Sequence, residues 1–223
     1  MDTFDLIIKY HQALLGGLKV TLSLCLIVWA SGILIGGLFG AIGAAQPKTI
    51  GRPLEFISYF VRAIPVLVLL FWFHYPFQYL LGITIAPFIT AAITLSLMNI
   101  VLTSDLVRGV LLQFPESYVE AAKVCGLKHT QAVLHIKLPI LLRELIPQIM
   151  GLMILMLQMS LFASLISVEE LFRVAQRINS IEYKPVEIYT GMAFFFVLIC
   201  LPINAWVTWL QSRFQKMYSS QRA

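Results

Sequence analysis

The stretch from Val20 to Ala45, VTLSLCLIVWASGILIGGLFGAIGAA, contains no charged residue. About 20 apolar residues in an α-helix cross the ~30 Å hydrocarbon core of a bilayer, and this stretch is longer than that. Because a backbone inside lipid must satisfy its own hydrogen bonds, and the apolar run is continuous rather than alternating, a transmembrane helix is predicted. Of the 223 residues, 59% are hydrophobic and only 12% are charged, which excludes a soluble domain.

Further charge-free stretches predict the remaining crossings. Residues 63–104 are long enough for two helices, and Pro76, Gly82 and Pro87 mark the turn between them. The predicted spans are residues 18–45, 60–80, 86–110, 141–167 and 188–212. The predicted fold is therefore an all-α, polytopic membrane protein, in which residues 1–223 form one transmembrane domain with five transmembrane helices.

Basic residues are distributed unevenly between the two sides of this bundle. Eleven lie on one side, namely Lys48, Arg52, Arg62, Arg108, Lys123, Lys128, Lys137, Arg143, Arg213, Lys216 and Arg222. The other side has five, namely Lys9, Lys19, Arg173, Arg177 and Lys184. Since Lys and Arg concentrate in cytoplasmic loops, the N-terminus is expected outside and the C-terminus in the cytoplasm. The net charge of +5 suits an anionic membrane lipid surface, and no basic arm indicates nucleic acid.

The longest cytoplasmic connection, residues 113–139, joins the third and fourth spans. It reads Glu120-Ala121-Ala122-Lys123-Val124-Cys125-Gly126, then nine residues, then Ile136-Lys137-Leu138-Pro139. Residues 116–125 favour a helix, and Gly126 stands where a helix ends with positive φ. A second short helix is expected over residues 128–135, with Pro139 in the first turn of the fourth span. Two short helices held between two spans provide a surface that another protein can bind.

This spacing of Glu-Ala-Ala, Gly and Ile-x-Leu-Pro resembles the signature loop in the membrane subunits of bacterial ABC importers. In that family the loop forms the coupling helix, which docks in a groove of the ATP-binding subunit and passes its closure to the transmembrane bundle. The resemblance assigns ATPase coupling to Glu120, Ala121, Ala122, Gly126, Ile136, Leu138 and Pro139. It implies a permease and not an enzyme, with no catalytic residue and no cofactor of its own, since ATP and Mg²⁺ belong to the partner ATPase.

Shorter matches elsewhere favour the branch of this family that takes up polar amino acids, the permeases for histidine, glutamine and arginine. They are Gly17-Leu18-Lys19-Val20-Thr21-Leu22, Arg62-Ala63-Ile64-Pro65, Asp105-Leu106-Val107-Arg108-Gly109 and Glu170-Leu171. The resemblance implies a subunit of the bacterial cytoplasmic (inner) membrane that couples ATPase closure to alternating access. It also implies three partners, namely ATP-binding subunits, a second permease subunit and an extracytoplasmic solute-binding protein. Another small polar solute is an alternative cargo, and the choice between a homodimer and a heterodimer stays open.

Polar positions within the spans are candidates for a substrate path. They are Ser96, Asn99, Gln158, Met159 and Ser160, of which the last three fall where relatives often carry Lys-Asp-Thr. Uncharged polar groups avoid lipid, so they face either a cavity or another helix. Two alternatives to a substrate path remain. These residues hydrogen-bond between helices, or the partner subunit supplies the substrate pocket.

Asp105 and Arg108 lie three residues apart near the cytoplasmic end of the third span, where a helix places them side by side. Either they form a local ion pair, or their contact changes as the bundle switches access. In the first span Gly32, Gly36 and Gly40 recur every four residues, which favours close helix packing over a phosphate-binding loop.

Two other classes of membrane protein fit the sequence less well. A secondary transporter driven by protons would need an acidic residue within the membrane, and the interiors of the first, second, fourth and fifth spans have none. A membrane-embedded enzyme would need clustered nucleophiles, bases or metal ligands. The three cysteines lie far apart and the histidines lack metal spacing, so no metal site is expected.

Overall fold

A computed structural model describes residues 3–219 of the chain, which are almost entirely helical and contain no strand. Its helices are α1 (Thr3–Ser31, continued by Gly32–Gly36 and Gly37–Ala45), α2 (Arg52–Ala63, preceded by the helical turn Pro47–Gly51), α3 (Val66–His74), α4 (Pro76–Leu81), α5 (Pro87–Leu112), α6 (Ser117–Val124), α7 (His129–Ala132, Val133–Lys137, Leu138–Met159 and Ser160–Ile166), α8 (Leu171–Glu182) and α9 (Pro185–Ser219). Arg222 and both ends of the predicted domain 1–223 lie outside the described residues.

Four described helices are long and apolar enough to cross a membrane. They are Asp5–Ala45, Pro87–Leu112, His129–Ile166 and Pro185–Leu210. They correspond to the predicted first, third, fourth and fifth spans, and they confirm the prediction of an all-α polytopic membrane protein.

The predicted second span, residues 60–80, is not one straight helix. Two helical legs, Pro47–Ala63 and Val66–Leu81, meet at an angle of 89°. Ile64 between them is extended (φ −90°, ψ 123°), since the ring of Pro65 clashes with a helical conformation of the residue before it. The fifth crossing is therefore this bent pair and not a straight helix. Residues 60–63 belong to the first leg, Pro47–Ala63, which is nearly perpendicular to the second.

The turn between α4 and α5 follows the predicted pattern. Gly82 ends α4 with φ +64°, and Pro87 occupies the first turn of α5. The buried side chain of Gln78 fastens the turn, because its Oε1 accepts from the Ile85 N–H at 2.7 Å and its Nε2 donates to Thr90 Oγ1 at 3.1 Å.

Two helices extend beyond their predicted bounds. The first begins at Thr3 rather than near residue 18, and the fourth begins at His129 rather than near residue 141. The second cytoplasmic helix is thus continuous with α7, and Pro139 lies inside a helix rather than at its start. Because Pro139 has no N–H to donate, the helix widens just before it, and the Leu138 N–H bonds to the Val133 carbonyl.

The central helix α5 packs closely against α1 along the glycine stripe. A Cβ at Gly36 would lie 2.6 Å from the Ile100 carbonyl oxygen, and one at Gly40 would lie 2.6 Å from that of Ser104. A Cβ at Gly32 would overlap the Asn99 amide. The packing function predicted for these glycines is confirmed.

On the opposite face from the 113–139 connection, α8 packs against the first turns of α1 and the start of α9, through Leu6, Val174, Ile178 and Met192. The fully buried Glu170 caps α8, because its carboxylate accepts from the N–H groups of Phe172 at 2.9 Å and Arg173 at 2.7 Å. Burial raises the pKa of Glu170 to about 7.

Candidate coupling segment and polar sites of the bundle

The coupling segment, residues 113–139, is built around α6. The helix ends as predicted at Gly126, whose φ is +77°. The Leu127 N–H donates to the Ala122 carbonyl and the Gly126 N–H donates to the Lys123 carbonyl, both at 3.0 Å. This pair of bonds is a Schellman motif, which satisfies the last carbonyls of a helix and requires a residue that tolerates positive φ. The glycine therefore fixes where α6 stops and where the chain turns.

The inner face of α6 is fastened to the ends of two spans. Tyr118 and Val119 pack on a cluster formed by Val110 of the third span, Leu141 of the fourth and Phe114, which follows the end of the third span. Lys137 adds a cation–π contact, with its Nζ 5.3 Å from the centre of the Phe114 ring. The inner face of α6 is therefore in direct contact with the adjoining ends of α5 and α7.

The outer tip of the coupling segment presents apolar side chains to solvent. Val124 is 89% exposed, and Leu134 and Leu127 are exposed as well. Cys125, beside Val124, is also exposed, whereas Cys25 and Cys200 are buried. Adjacent apolar side chains left uncovered on a polar loop mark a surface for another protein.

A groove of about 760 Å³ runs along α6 between the ends of the spans. Its charged lining residues are Glu116, Glu120, Lys123 and Lys137. Of the predicted coupling residues, Glu120 and Leu138 line the groove, and Ala122 is buried. Ala121 is exposed, whereas Ile136 and Pro139 are half-buried within α7.

The substrate-path candidates do not converge on one cavity within the described chain. Asn99 is buried between α5 and α1, where its Nδ2 donates to the Val28 carbonyl at 2.7 Å. Ser160 is buried and donates to the Leu157 carbonyl at 2.7 Å. Both polar groups are therefore used in contacts within the bundle.

The other three candidates have different surroundings. Met159 is half-buried and packs on the main core, whereas Gln158 is exposed. The Ser96 hydroxyl oxygen is buried and has no hydrogen-bond partner among residues 3–219. Ser96 is therefore the candidate whose polar group is buried yet left without a partner in this part of the chain.

Asp105 and Arg108 belong to a larger charge cluster. Arg108 Nη2 lies 4.0 Å from Asp105 Oδ1, the limit for an ion pair. Asp105 has nearer partners on α2, since Ser58 Oγ donates to its carboxylate and Arg62 Nη1 lies 3.4 Å away. Arg108 pairs with Glu55 at 3.1 Å. The charge cluster, which consists of Glu55, Ser58, Arg62, Asp105 and Arg108, joins α2 to α5.

Glu55 and Ser58 did not stand out in the sequence. The available signal is their spacing, because Glu55, Ser58 and Arg62 lie at i, i+3 and i+7 and so share one helix face. Among residues 3–219, no group of three or more His, Cys, Asp or Glu side chains is arranged to hold a metal ion.

Comparison with known proteins finds relatives that are all named as permease proteins of transport systems. The chain is 31% identical to the L-cystine transport system permease protein of Bacillus subtilis (strain 168), over 88% of this chain and 84% of that one. It is 25% identical to the glutamine transport system permease protein of Escherichia coli (strain K12), over 86% and 88% of the two chains. The octopine transport system permease protein of Rhizobium radiobacter is 24% identical, over 90% and 88%.

Solved structures share the fold. An amino acid ABC transporter crystallised with histidines matches with a TM-score of 0.82 at 22% identity, over 96% of this chain and 99% of that one. The MetNI methionine ABC transporter in an inward-facing conformation matches with a TM-score of 0.68 at 20% identity, over 95% and 97%. The family model for the inner membrane component of binding-protein-dependent transport systems matches residues 32–216. The chain therefore belongs to this family of membrane-embedded permease subunits.

Proposed function

We propose that the chain is the permease subunit of an ATP-driven amino acid uptake system, and that the coupling segment receives the motion of a separate ATPase. The observation that carries this proposal is the construction of the coupling segment. Its inner face is packed on the ends of α5 and α7, and its outer tip leaves Val124 and Leu127 uncovered. A segment with this construction transmits force from a bound protein to two spans at once.

Seven residues act in this coupling. Glu120, Ala121, Ala122 and Gly126 supply the α6 surface and its fixed end, and Ile136, Leu138 and Pro139 lie in the part of α7 that leads into the membrane. The nucleotide sites belong to two ATP-binding subunits, which hydrolyse ATP with Mg²⁺. For hydrolysis to drive transport, the ATPase must bind the two conformations of the coupling segment with different affinity in its two nucleotide states.

The cargo is an amino acid or a close relative of one. This assignment is supported by relatives named for L-cystine, glutamine and octopine transport. A second permease subunit completes the central path. Of the five candidates Ser96, Asn99, Gln158, Met159 and Ser160, Ser96 is the one we propose to face this path, because its buried hydroxyl has no hydrogen-bond partner within residues 3–219. An extracytoplasmic solute-binding protein delivers the cargo to the face that carries α8. In this orientation the N-terminus lies outside and the C-terminus lies in the cytoplasm.

The test is uptake by proteoliposomes that contain the full complex, with labelled cystine or glutamine and the solute-binding protein outside. ATP inside the vesicles should drive accumulation, and a non-hydrolysable ATP analogue should not. Accumulation that follows an imposed proton gradient without ATP would instead show a secondary transporter and would refute the proposal.

A matched pair of variants connects this transport to the coupling segment. Val124→Asp places a charge on the exposed apolar tip, so the ATP-binding subunit should no longer co-purify. Ile181→Asp is the control, because Ile181 is an exposed apolar residue on α8 at the other face. Equal retention of the ATPase by both variants would contradict the docking site.

A further inference from the structure

Helix α2 contacts α5 through the polar side chains of Glu55, Ser58 and Arg62, and its aromatic side chains point away from the protein. Ser58 is buried, and it joins Arg62 and Glu55 in the charge cluster with α5. Val61, on the same inner side, packs against the main core. The polar face of this amphipathic helix is therefore already occupied within the chain.

The outer face of α2 is apolar and uncovered. Phe56, Tyr59 and Phe60 are 65%, 69% and 56% exposed, and Ile57 is 52% exposed. The rings of Phe56 and Phe60 touch, with centroids 4.9 Å apart. Three adjacent exposed aromatic rings on one short helix would be unfavourable in water, since burial of each aromatic side chain contributes a large apolar area.

The direction of α2 and the basic residues at the beginning of its leg indicate that lipid covers this aromatic face. The leg that contains α2 is turned by 89° from Val66–Leu81, so it lies along the membrane plane when the second leg crosses the bilayer. Lys48 and Arg52 are exposed at the start of this leg. On a helical projection Arg52 falls on the same side as Phe56 and Tyr59, which lie four and seven residues further on.

We propose that α2 is an interfacial helix whose aromatic face, Phe56, Tyr59 and Phe60, is immersed in the leaflet that contains the coupling segment, where Arg52 and Lys48 bind anionic lipid headgroups. Aromatic rings favour the boundary between headgroups and hydrocarbon. A helix with an apolar face and basic residues is attracted to anionic lipid. The assignment to the cytoplasmic leaflet rests on the proposed orientation of the chain.

Spin labels on the full chain in phosphatidylcholine–phosphatidylglycerol liposomes test the immersion. Phe56→Cys and Phe60→Cys are made in a Cys125→Ser background, and Val124→Cys is the matched exposed control on the coupling segment. Labels at 56 and 60 should collide readily with oxygen and poorly with a water-soluble nickel chelate, whereas the label at 124 should show the reverse. Strong nickel collisions at 56 and 60 would show a water-exposed face, and weak collisions with both reagents would show a second permease copy or another protein. Either result would overturn the proposal.

Charge removal tests the lipid preference. Purified full-length chain is titrated with phosphatidylglycerol in neutral detergent, and lipid adducts are counted by native mass spectrometry. Lys48→Gln and Arg52→Gln should each weaken phosphatidylglycerol binding by about five-fold, the effect of one basic residue at an anionic surface. Lys48→Arg and Arg52→Lys should preserve it.

The control for this titration is Lys128→Gln, which removes an exposed basic residue from the coupling segment and should leave lipid binding unchanged. Equal affinity of the Gln variants and the natural chain would refute the lipid site. Because neither assay involves ATP or transport, that result would leave the proposed function intact, and failed uptake would leave the lipid site intact.

Discussion

Single residues decide how closely the helices approach and where they stop. Asn99 donates across the α1–α5 contact only because Gly32 leaves room for its amide. Gly126 ends α6 in a conformation that costs an L-residue about 1–2 kcal/mol. The glycine stripe and the end of α6 are predictable from the sequence, because residue spacing indicates the first and a glycine indicates the second. The partner of Asn99 is not visible, since it depends on how two distant helices align.

Gly126→Ala should loosen the end of α6. Open space surrounds the site, so the cost is the positive φ and not a clash, about 1–2 kcal/mol. Hydrogen exchange at the Gly126 and Leu127 amides should accelerate by about ten-fold. Gly109→Ala is the control, because Gly109 lies within α5 with equal space around it. Accelerated exchange at 126–127 in the control as well would contradict this account.

Gly32→Ala should destabilise the bundle by about 1–3 kcal/mol, since its methyl group overlaps the Asn99 amide. Asn99→Ala alone should cost about 1 kcal/mol through the lost hydrogen bond. The double variant should be more stable than the sum of the two effects predicts, because removal of the amide makes room for the methyl group. Thermal midpoints in detergent measure all three, and strict additivity would argue against the contact. Gly37→Ala, with open space in the same helix, should change little.

At the scale of elements, the bent pair and the α6–α7 connection set the geometry. Apolar runs predicted the four long helices, because length and hydropathy alone decide them, and Pro76, Gly82 and Pro87 predicted the turn. The same runs predicted a straight second span, because hydropathy averages over the extended Ile64–Pro65 junction. The start of α7 was also predicted too late, since a π turn lets the helix continue past Pro139. The coupling segment was predictable from the spacing of its motif. The charge cluster was not, because it forms only where the bend brings α2 to Asp105.

Asp105→Asn should release α2 from α5. Its carboxylate accepts from Ser58 and attracts Arg62 and Arg108, and a charged hydrogen-bond network of this kind contributes about 1.5–3 kcal/mol. Hydrogen exchange across residues 54–63 should rise at least ten-fold. Glu55→Gln serves as the control, because its carboxylate is mostly exposed and a surface ion pair contributes under about 1 kcal/mol. If both variants exchange alike, Asp105 does not hold α2.

At the scale of the whole molecule, two differently built ends flank the bundle. One end carries the rigid coupling segment with its uncovered tip. The other end carries α8, which α1 and α9 hold through an apolar cluster and which Glu170 caps from a fully buried position. Lys9 reinforces this end by pairing with Glu182 at 2.6 Å, and this hydrogen bond lowers the pKa of Glu182. A permease needs this division, because one face receives cargo and the other receives force.

The stability of the α8 end should depend on pH through Glu170. Its pKa rises from 4.5 to about 7 on folding, so the folded state binds more protons between those values. The contribution of Glu170 to stability should therefore be largest below pH 4.5, fall by on the order of 3 kcal/mol as pH rises to about 7, and then level off. In Glu170→Gln the thermal midpoint should depend less on pH between 4.5 and about 7. Glu169→Gln, an exposed neighbour paired with Arg177, should retain the slope, and an unchanged slope in Glu170→Gln would exclude Glu170 as the cause.

The central claim is that the coupling segment is the seat of a separate ATPase. Cys125 provides a natural probe, because it is exposed at the tip whereas Cys25 and Cys200 are buried. Thiol-directed crosslinking of the purified complex should join Cys125 to the ATP-binding subunit, with a yield that changes between ATP-bound and nucleotide-free states. Cys125→Ser should abolish the product without disrupting assembly. A complex that hydrolyses ATP and transports its cargo, yet gives no crosslink from Cys125 to the ATP-binding subunit in either state, would contradict the account.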